Sequence, residues 1–409
     1  MNPRHILVVN VLFAPFSYGG ATVVAEQVAQ GLLQLGGYRI TAVSLCARAD
    51  LAPYVVIKSQ KNGIVNYLIN MPATRSYGEM YNNPEVTARL AELINALEPD
   101  LVHAHCIQEI GTGVIAAAEG SGVPVILSVH DFWWLCERQF MIGIDDKYCG
   151  QNPVRIDQCK GCVSNFWAAK MRFNHLNAIS RSAAMVTYPS RFAMELSEAS
   201  GFAPGLGVVW ENGVLLPDAS FFAKQTRRRE VDRRLTFGFV GGPAQIKGWP
   251  QIRDAFQKLD RQDFRGLVVD GSLDQSWWTQ KNLAGLSGEW SIHPRFDHEA
   301  MDDFYAEIDV LLFMSQWKET FGLAIREALA RGIAVIQTDS GGTVEHGATP
   351  ADQLIPIAAP PETLLRQIEA HLEQHPQQIE PYPVASFVSQ ARSFAKLVER
   401  VLTQLDRAA

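Results

Sequence analysis

Short apolar runs alternate with longer segments of helical periodicity along most of the chain, which leaves few folds open to it. Continuous apolar strands separated by helices are typical of a parallel sheet covered by helices on both faces. The strand-like runs of the first half are residues 6–11, 40–45, 101–105, 124–129 and 185–188. The helical patterns between them are residues 21–35, 86–97 and 113–118. A doubly wound α/β domain is therefore predicted for the first half.

The same alternation begins again in the second half. Strand-like runs and helical patterns follow one another there, at residues 235–240, 250–259, 266–270, 310–313, 321–330 and 333–337. A chain of 409 residues is long enough to form two cores. We predict a first domain at residues 1–207, a second domain at 208–383 and a C-terminal helix at 384–409 that packs back on the body.

Composition excludes several classes of function. The net charge of −7 provides no overall field that would attract nucleic acid. The first residues lack the pattern of a secretory signal, and no apolar run approaches the ~20 residues that span a bilayer. We therefore expect a cytoplasmic protein with at most peripheral membrane association. The arginine-rich residues 227–234 are interpreted as a solvated charge run rather than a membrane-binding surface.

Two acids flank the start of a predicted helix in the second domain. Glu319 lies in the loop after a strand, and Glu327 lies two turns into the helix. Ligands of open α/β sheets bind at this end of the strands, and a carboxylate accepts hydrogen bonds from sugar or ribose hydroxyls. The cap and first amides of the helix are predicted to bind a pyrophosphate, and they belong to Thr320, Phe321, Gly322 and Leu323. An ordinary amphipathic helix with solvated acids is the alternative.

Residues 317–332, continued by residues 339–345, resemble the donor-site signature of glycosyltransferase family 4. In that family the first acid meets the transferred sugar, the second binds the ribose and the amides between them hold the diphosphate. The resemblance covers most of the chain and implies these roles for Glu319, Glu327 and the backbone of Gly322 and Leu323. It also implies the GT-B fold, in which two doubly wound Rossmann-like domains face each other across a cleft. The expected activity is that of a retaining hexosyltransferase with a nucleotide-sugar donor.

Residues 239–248 resemble the family's loop that supplies cations to the diphosphate. Many members have an arginine shortly after this strand, but here Gly241 and Gly242 are followed by proline. Lys247 is therefore the cation that the resemblance assigns to the diphosphate, although a loop lysine is often simply solvated. Because Lys247 and the helix amides take this role, and because the chain has no Asp-x-Asp motif, no catalytic divalent metal is expected.

In the first domain, Gly19 and Gly20 lie between the first strand and the first helix. Two glycines there let the backbone approach a phosphate or an acceptor, or simply form a turn. The sequence lacks the Gly-x-Gly-x-x-Gly fingerprint, which disfavours an NAD enzyme. His130 follows the strand at residues 124–129. A lone histidine is commonly structural, but the resemblance implies a catalytic contact with the donor sugar, with His103 and His105 in support.

A loop at residues 132–165 carries the cysteines Cys136, Cys149, Cys159 and Cys162. Four thiolates would complete a tetrahedral Zn²⁺ shell, although only the last two form a close pair. Two interpretations stay open, a structural zinc clip and a set of unconnected thiols. The aromatic residues 132–134 at the start of the loop either stack on an acceptor sugar or fill the core.

The predicted function is transfer of a sugar from a nucleotide diphosphate to a glycan or lipid-linked glycan, in bacterial surface polysaccharide assembly. A nucleotide-sugar epimerase on the same architecture is one alternative, and the acid pair Glu319 and Glu327 disfavours it. A non-catalytic sugar- or partner-binding relative is another, suggested by the missing arginine near Gly242. The donor's base and sugar and the acceptor are not indicated by the sequence.

Overall fold

The computed structural model describes residues 3–273, 275–374 and 379–408, and these form two compact units. The first unit contains the chain up to Met141, Gly150–Gly213 and the residues from Ala385 onward. The second contains Ile142–Cys149 and Val214–Val384. Residues 1, 2, 274, 375–378 and 409, which the predicted domain ranges include, lie outside the described residues.

An eight-stranded sheet forms the centre of the first unit. Its strands are β1 (Arg4–Val9), β2 (Tyr38–Cys46), β3 (Val56–Lys61), β4 (Ile64–Asn70), β5 (Leu101–Ala104), β6 (Val125–Ser128), β7 (Met185–Tyr188) and β8 (Gly207–Val209). The order is β3-β4-β2-β1-β5-β6-β7-β8, and β3 is antiparallel to β4 in an otherwise parallel sheet. The helices are α1 (Gly20–Leu35), α2 (Pro84–Leu97), α3 (Gly113–Gly120), α4 (Phe166–Ile179) and α5 (Arg191–Ala199).

The second unit is built on a parallel five-stranded sheet. The strands are β9 (Leu235–Val240), β10 (Phe264–Val269), β11 (Glu289–His293), β12 (Val310–Phe313) and β13 (Ala334–Gln337), in the order β11-β10-β9-β12-β13. The helices are α6 (Phe221–Val231), α7 (Trp249–Lys258), α8 (Gln280–Leu283), α9 (Met301–Ala306), α10 (Leu323–Leu329) and α11 (Pro361–Gln374). Buried apolar clusters lie on this sheet. The two doubly wound sheets confirm the predicted α/β architecture.

In both sheets the strand order reverses direction at one point. The reversal lies between β1 and β5 in the first sheet and between β9 and β12 in the second. Open α/β sheets bind ligands beyond the carboxyl ends of the strands at such a point, because the connections there leave the sheet on opposite faces. We therefore expect ligands to bind at the loops after β9 and β12 in the second sheet and after β1 and β5 in the first.

The last helix, α12 (Phe387–Ala408), returns to the first unit and packs against α1. A Cβ atom on Gly31 would lie 2.6 Å from Cβ of Ala391, so the absence of a side chain lets the helices approach closely. Gln390 fixes the register, since its Oε1 accepts a hydrogen bond from the amide of Gly213 at 2.8 Å. No helix among the described residues has the length and apolar character needed to cross a membrane.

Part of the arginine-rich stretch serves the fold of the second unit. Arg228 and Arg229 of α6 both bind Asp309, with nitrogen–oxygen distances of 2.7 and 2.8 Å. The side chains of Arg228 and Asp309 are only 7% and 6% exposed, and Asp309 also accepts the amide of Thr236 at 2.9 Å. The interpretation as a solvated charge run is therefore wrong for Arg228.

Asp309→Asn is expected to lower the free energy of unfolding by about 3–5 kcal/mol, because it leaves two guanidinium groups without their buried anion. Urea-induced unfolding measures this change. Asp303→Asn is the matched control, since the pair of Asp303 with Lys224 is exposed and contributes at most ~1 kcal/mol. Equal losses in the two variants would show that Asp309 is no more important than a surface acid.

Candidate active site

The predicted site residues are distributed over both units. The second unit contains Gly241, Gly242, Lys247, Glu319, Thr320, Phe321, Gly322, Leu323 and Glu327, and the first contains Gly19, Gly20 and His130. Within the second unit, the structure brings Lys247 and Glu319 into direct contact. Within the first unit, it joins His130 to His105 and His103.

Lys247 and Glu319 lie on either side of the reversal in the second sheet, after β9 and β12. Nζ of Lys247 lies 2.9 Å from Oε1 of Glu319. The hydroxyl of Ser315 donates to the same oxygen at 2.6 Å. Among the described residues, Oε2 of Glu319 accepts no hydrogen bond. One carboxylate oxygen is thus fixed, and the other can accept a ligand hydroxyl.

The turn that carries Lys247 depends on glycines. Gly248 has a φ of 77°, and a Cβ atom there would lie 1.9 Å from the carbonyl oxygen of Met314 at the end of β12. Only glycine lets the turn come this close. Gly241 lies against Lys247, whereas a Cβ atom on Gly242 would lie 3.1 Å from the ring of Trp277. The indole therefore lies directly beside Gly242, and Lys247 is the cation that this loop brings to Glu319.

The helix after Glu319 begins later than predicted. Gly322 is the residue before α10, with a φ of 81°, and no side chain caps the helix. The prediction that Thr320 caps it is therefore wrong, because the left-handed backbone at Gly322 delays the first helical residue to Leu323. Glu319 is held through its own backbone, since its amide donates to Ser340 and its carbonyl accepts from Gly342, both at 2.9 Å.

Arg326 is a structural residue of the site that sequence analysis missed. Its guanidinium is buried and donates to the carbonyl oxygens of Phe321, Thr343 and Gly342. These carbonyls belong to the loops after β12 and β13, so Arg326 ties together the two loops that surround Glu319. A charged residue within the apolar run of residues 323–330 is the signal that could have indicated this role.

Glu327 is held by a tyrosine that sequence analysis also missed. The hydroxyl of Tyr305 in α9 donates to Oε2 of Glu327 at 2.8 Å. Burial raises the pKa of Glu327, and the Tyr305 hydrogen bond and the charge of Arg331 oppose that rise. Oε1 of Glu327 has no hydrogen-bond partner among the residues that the structure describes. Both predicted acids therefore have one fixed oxygen and one open oxygen.

Gly19 and Gly20 lie after β1, at the reversal of the first sheet. Gly19 has a φ of 85° and precedes α1, and a Cβ atom there would meet nothing within 4 Å. The approach to this loop is therefore open. Asn10 anchors the start of the loop, because its side-chain amide donates to Leu12 at 2.6 Å and its oxygen accepts from the amide of Cys106 at 2.9 Å.

His130 lies just beyond β6, and its Nε2 is 2.9 Å from Nδ1 of His105. Burial lowers the pKa of His130 to about 4, so its imidazole is neutral near pH 7. Burial also lowers the pKa of His103 and His105. A neutral imidazole donates one hydrogen bond and accepts another, which suits contact with a polar ligand.

The loop after His130 is anchored by Asp131 and Arg172. Asp131 accepts the amide of Trp133 at 2.8 Å, and Arg172 donates to the carbonyl of Trp133. Phe132, Trp133 and Trp134 are 0%, 8% and 4% exposed. Of the two roles considered for these aromatics, the structure supports filling the core.

The zinc interpretation of the cysteine loop is not supported. Within residues 3–273, 275–374 and 379–408, no three histidine, cysteine or acidic side chains form a group that could hold a metal ion. Cys149 is exposed and belongs to the second unit, whereas Cys136, Cys159 and Cys162 belong to the first. Four sulfurs that do not converge cannot form a tetrahedral shell.

Two sequence models of known families match the chain in succession. The model described as Glycosyltransferase Family 4 matches residues 18–216. The model described as Glycosyl transferases group 1 matches residues 234–374. The first match covers most of the first unit, and the second covers β9 to α11.

Individual relatives share between 20% and 28% sequence identity with the chain. The chain is 20% identical over 359 residues to an uncharacterized 42.6 kDa protein in the cps region of Klebsiella pneumoniae, covering 83% of this chain and 87% of that protein. It is 28% identical over 265 residues to a GDP-mannose-dependent alpha-mannosyltransferase of Mycobacterium tuberculosis, covering 63% and 60%. It is 22% identical over 266 residues to the sulfoquinovosyl transferase SQD2 of Arabidopsis thaliana, covering 63% and 46%. The chain therefore spans less than two thirds of the last two relatives.

Solved structures share the architecture. A glycosyltransferase of Rickettsia africae superimposes with a TM-score of 0.66 at 17% identity, covering 98% of this chain and 99% of that one. Anabaena HepE in complex with UDP and glucose superimposes with a TM-score of 0.62 at 16% identity, covering 99% of both chains. This likeness supports the GT-B fold. Since the two family models match in the order of the two sheets, the chain belongs to glycosyltransferase family 4 and is a glycosyltransferase of the group 1 type.

Proposed function

We propose that the protein transfers a sugar from a nucleotide diphosphate sugar to a glycan or lipid-linked glycan, with retention at the anomeric carbon and without a catalytic divalent metal. The observation that carries this proposal is the pair of acids at the reversal of the second sheet, each with one oxygen held by the protein and one open. Glu319 offers its open oxygen to a hydroxyl of the transferred sugar. Glu327 offers its own to the ribose, as the family resemblance implies.

Lys247 is proposed to neutralise the leaving diphosphate. Its ammonium already lies 2.9 Å from Glu319, so a diphosphate next to the sugar would be within reach of the same group. The backbone amides of Gly322 and Leu323 would add hydrogen bonds to the phosphate oxygens. Such prearranged donors stabilise the charge that develops on a leaving group. Retention follows from the family resemblance.

His130 is proposed to contact the donor sugar, and the loop of Gly19 and Gly20 to border the phosphate or the acceptor. His130 is neutral near pH 7 because burial lowers its pKa to about 4, so it would act through hydrogen bonds instead of a fixed charge. The open approach beside Gly19 is compatible with a backbone that contacts a ligand. A cytoplasmic setting stays a prediction.

The relatives narrow the substrate classes to be tested. One is named a GDP-mannose-dependent mannosyltransferase, one a sulfoquinovosyl transferase, and HepE was solved with UDP and glucose. The Klebsiella relative comes from a cps region, which favours a role in surface polysaccharide assembly. We therefore propose a donor that carries a hexose or a hexose derivative on UDP or GDP.

The test is a panel of UDP-, GDP- and dTDP-sugars, screened first by thermal shift and then by release of free nucleotide in the presence of glycan acceptors. A ligand at a hundred times its dissociation constant stabilises a protein by ~2.7 kcal/mol, so a true donor is easily detected. Stabilisation with nucleotide release supports a transferase. Stabilisation by a donor that is never turned over with any acceptor would favour the non-catalytic alternative.

Activity is expected to survive EDTA, because Lys247 and backbone amides take the place of a metal at the diphosphate. The initial rate of nucleotide release, measured in buffer treated with chelator and in buffer with added Mg²⁺, checks this. We expect the two rates to agree within experimental error. Complete loss in EDTA, with recovery on adding Mg²⁺ or Mn²⁺, would contradict the metal-independent mechanism.

A further inference from the structure

Four buried polar side chains of the first unit form one continuous hydrogen-bonded chain that reaches the partly buried His130. The chain crosses β7, β6 and β5 near their carboxyl ends and returns to the loop after β6. Its contacts are Thr187 Oγ1 to Ser128 Oγ at 2.7 Å, Ser128 Oγ to His103 Nε2 at 2.8 Å, His103 Nδ1 to His105 Nε2 at 3.2 Å and His105 Nδ1 to His130 Nε2 at 2.9 Å. All four distances are compatible with hydrogen bonds.

Hydrogen positions in such a chain are correlated. Each neutral imidazole carries one N–H, so it must donate on one side and accept on the other. The three imidazoles therefore share one of two directions, so that Nε2 of His130 either accepts from His105 or donates to it. In the first direction Ser128 donates to His103. In the second, Ser128 accepts from His103, and its own proton either goes to Thr187 or has no acceptor within the chain.

The far end of the chain selects between these directions. Thr187 is 1% exposed, and among the described residues its hydroxyl has no hydrogen-bond partner other than Ser128. If Ser128 donated to Thr187, the Thr187 proton would be buried without an acceptor, and if Ser128 accepted from both Thr187 and His103, its own proton would be. A buried donor without an acceptor is unfavourable in either case. If both hydroxyls donate along the chain toward His130, every hydroxyl and imidazole proton from Thr187 to His105 has an acceptor. The direction in which Thr187 donates and Nε2 of His130 accepts is therefore favoured.

We infer that this chain holds His130 as its Nδ1–H tautomer, with His105 as the positioning residue that imposes it. The inference rests on the proposed function only for its effect on sugar transfer. In this tautomer Nδ1 of His130 is a hydrogen-bond donor and cannot accept a proton. His130 would then stabilise negative charge on an oxygen of the donor by donating a hydrogen bond, and it would not act as a general base at Nδ1.

Aromatic packing keeps the chain in place. The ring of His103 stacks on Phe394 of α12, with centroids 4.0 Å apart and an interplanar angle of 18°. The rings of His105 and His130 are also stacked, 5.2 Å apart at 16°. His103 and His105 are each 1% exposed, so water does not compete for their nitrogens. The orientation of His130 thus depends on the buried residues His103, His105 and Phe394.

The test combines nitrogen-15 NMR of histidine-labelled protein with kinetics. The His130 resonances are those lost in His130→Gln, and we expect them to report a protonated Nδ1 in the wild type. His105→Leu removes the donor and should move His130 toward the Nε2–H tautomer. His105→Asn is the matched variant, because its side-chain amide can still donate to His130 and should preserve the Nδ1–H form.

We expect His105→Leu to lower kcat by about 10–100-fold, as is typical of residues that orient a catalytic group, with KM for the donor little changed. His105→Asn should recover most of that loss. A wild-type His130 protonated at Nε2, or a His105→Leu variant with the wild-type tautomer or the wild-type kcat, would overturn the inference. If His130→Gln itself kept the wild-type kcat, the proposed contact of His130 with the donor would fail, while the tautomer measurement would still decide the role of the chain.

Discussion

Glu319→Gln is expected to lower kcat for sugar transfer by about 10²–10³-fold, the usual loss when a prearranged electrostatic group is removed from an active site. The substitution keeps the shape of the side chain but removes the negative charge that would face the positively charged sugar of the transition state. It also breaks the ion pair that places Lys247 at 2.9 Å. Affinity for the nucleotide without its sugar should change much less, because the nucleotide depends on Glu319 only through Lys247, whose ammonium can still bind the diphosphate in the variant.

Initial rates of nucleotide release and nucleotide binding by calorimetry separate these two effects. Ser315→Ala is the graded variant, since it removes one hydrogen bond to Oε1 but keeps the carboxylate, and about a tenfold loss of kcat is expected. Glu373→Gln, an exposed acid at the end of α11, is the matched control and should behave as wild type. An unchanged kcat in Glu319→Gln would remove Glu319 from the proposed site.

Glu327→Ala is expected to raise the Kd for the nucleotide by about 10–150-fold, which corresponds to ~1.5–3 kcal/mol for hydrogen bonds to a charged group. The ribose contact exists in the ground state and in the transition state, so KM for the donor should rise with it. Glu327→Gln keeps an acceptor for the Tyr305 hydroxyl and should show a smaller loss in the same direction. Calorimetric titration with nucleotide measures both variants.

The pH dependence provides a second measurement on the same residue. Burial raises the pKa of Glu327, so its carboxylate begins to take up a proton at a higher pH than an exposed glutamate. Nucleotide affinity should be fully present above this pKa and decline as the pH falls through it, because the protonated carboxyl loses an acceptor. The decline should be absent in Glu327→Gln. A variant that kept the wild-type pH profile would assign the titration to another group.

The α/β architecture could be predicted from periodicity because most strands of both sheets are buried apolar runs. The edge strand β3 was missed for the same reason, since it contains Lys58, Ser59 and Gln60 and no apolar pattern marks it. The sequence also could not indicate which unit the last helix packs against. Its docking depends on contacts such as Gln390 with Gly213, which lie far apart in the sequence.

In the candidate site too, residues within a local sequence motif were predicted, whereas contacts between residues far apart in the sequence were not. Lys247 and Glu319 follow strand ends within a recognisable motif, and the structure places them in contact. Tyr305, which holds Glu327, lies on a separate helix and carries no sequence signal of that role. Predictions that depended on convergence of distant residues, such as the four-cysteine zinc clip, had no local pattern strong enough to support them.

The return of α12 to the first unit means that the second unit is, apart from residues 142–149, an insert between β8 and the last helix of its neighbour. The chain enters this insert after Gly213 and leaves it before Ala385. Residues 214–384 can therefore be exchanged through two splice points, and a chimera made in this way would test whether the second unit carries the donor preference proposed for it. Deletion of α12 would instead remove Phe394, on which His103 stacks. Such a deletion would therefore destabilise the first unit, which the exchange of residues 214–384 does not alter.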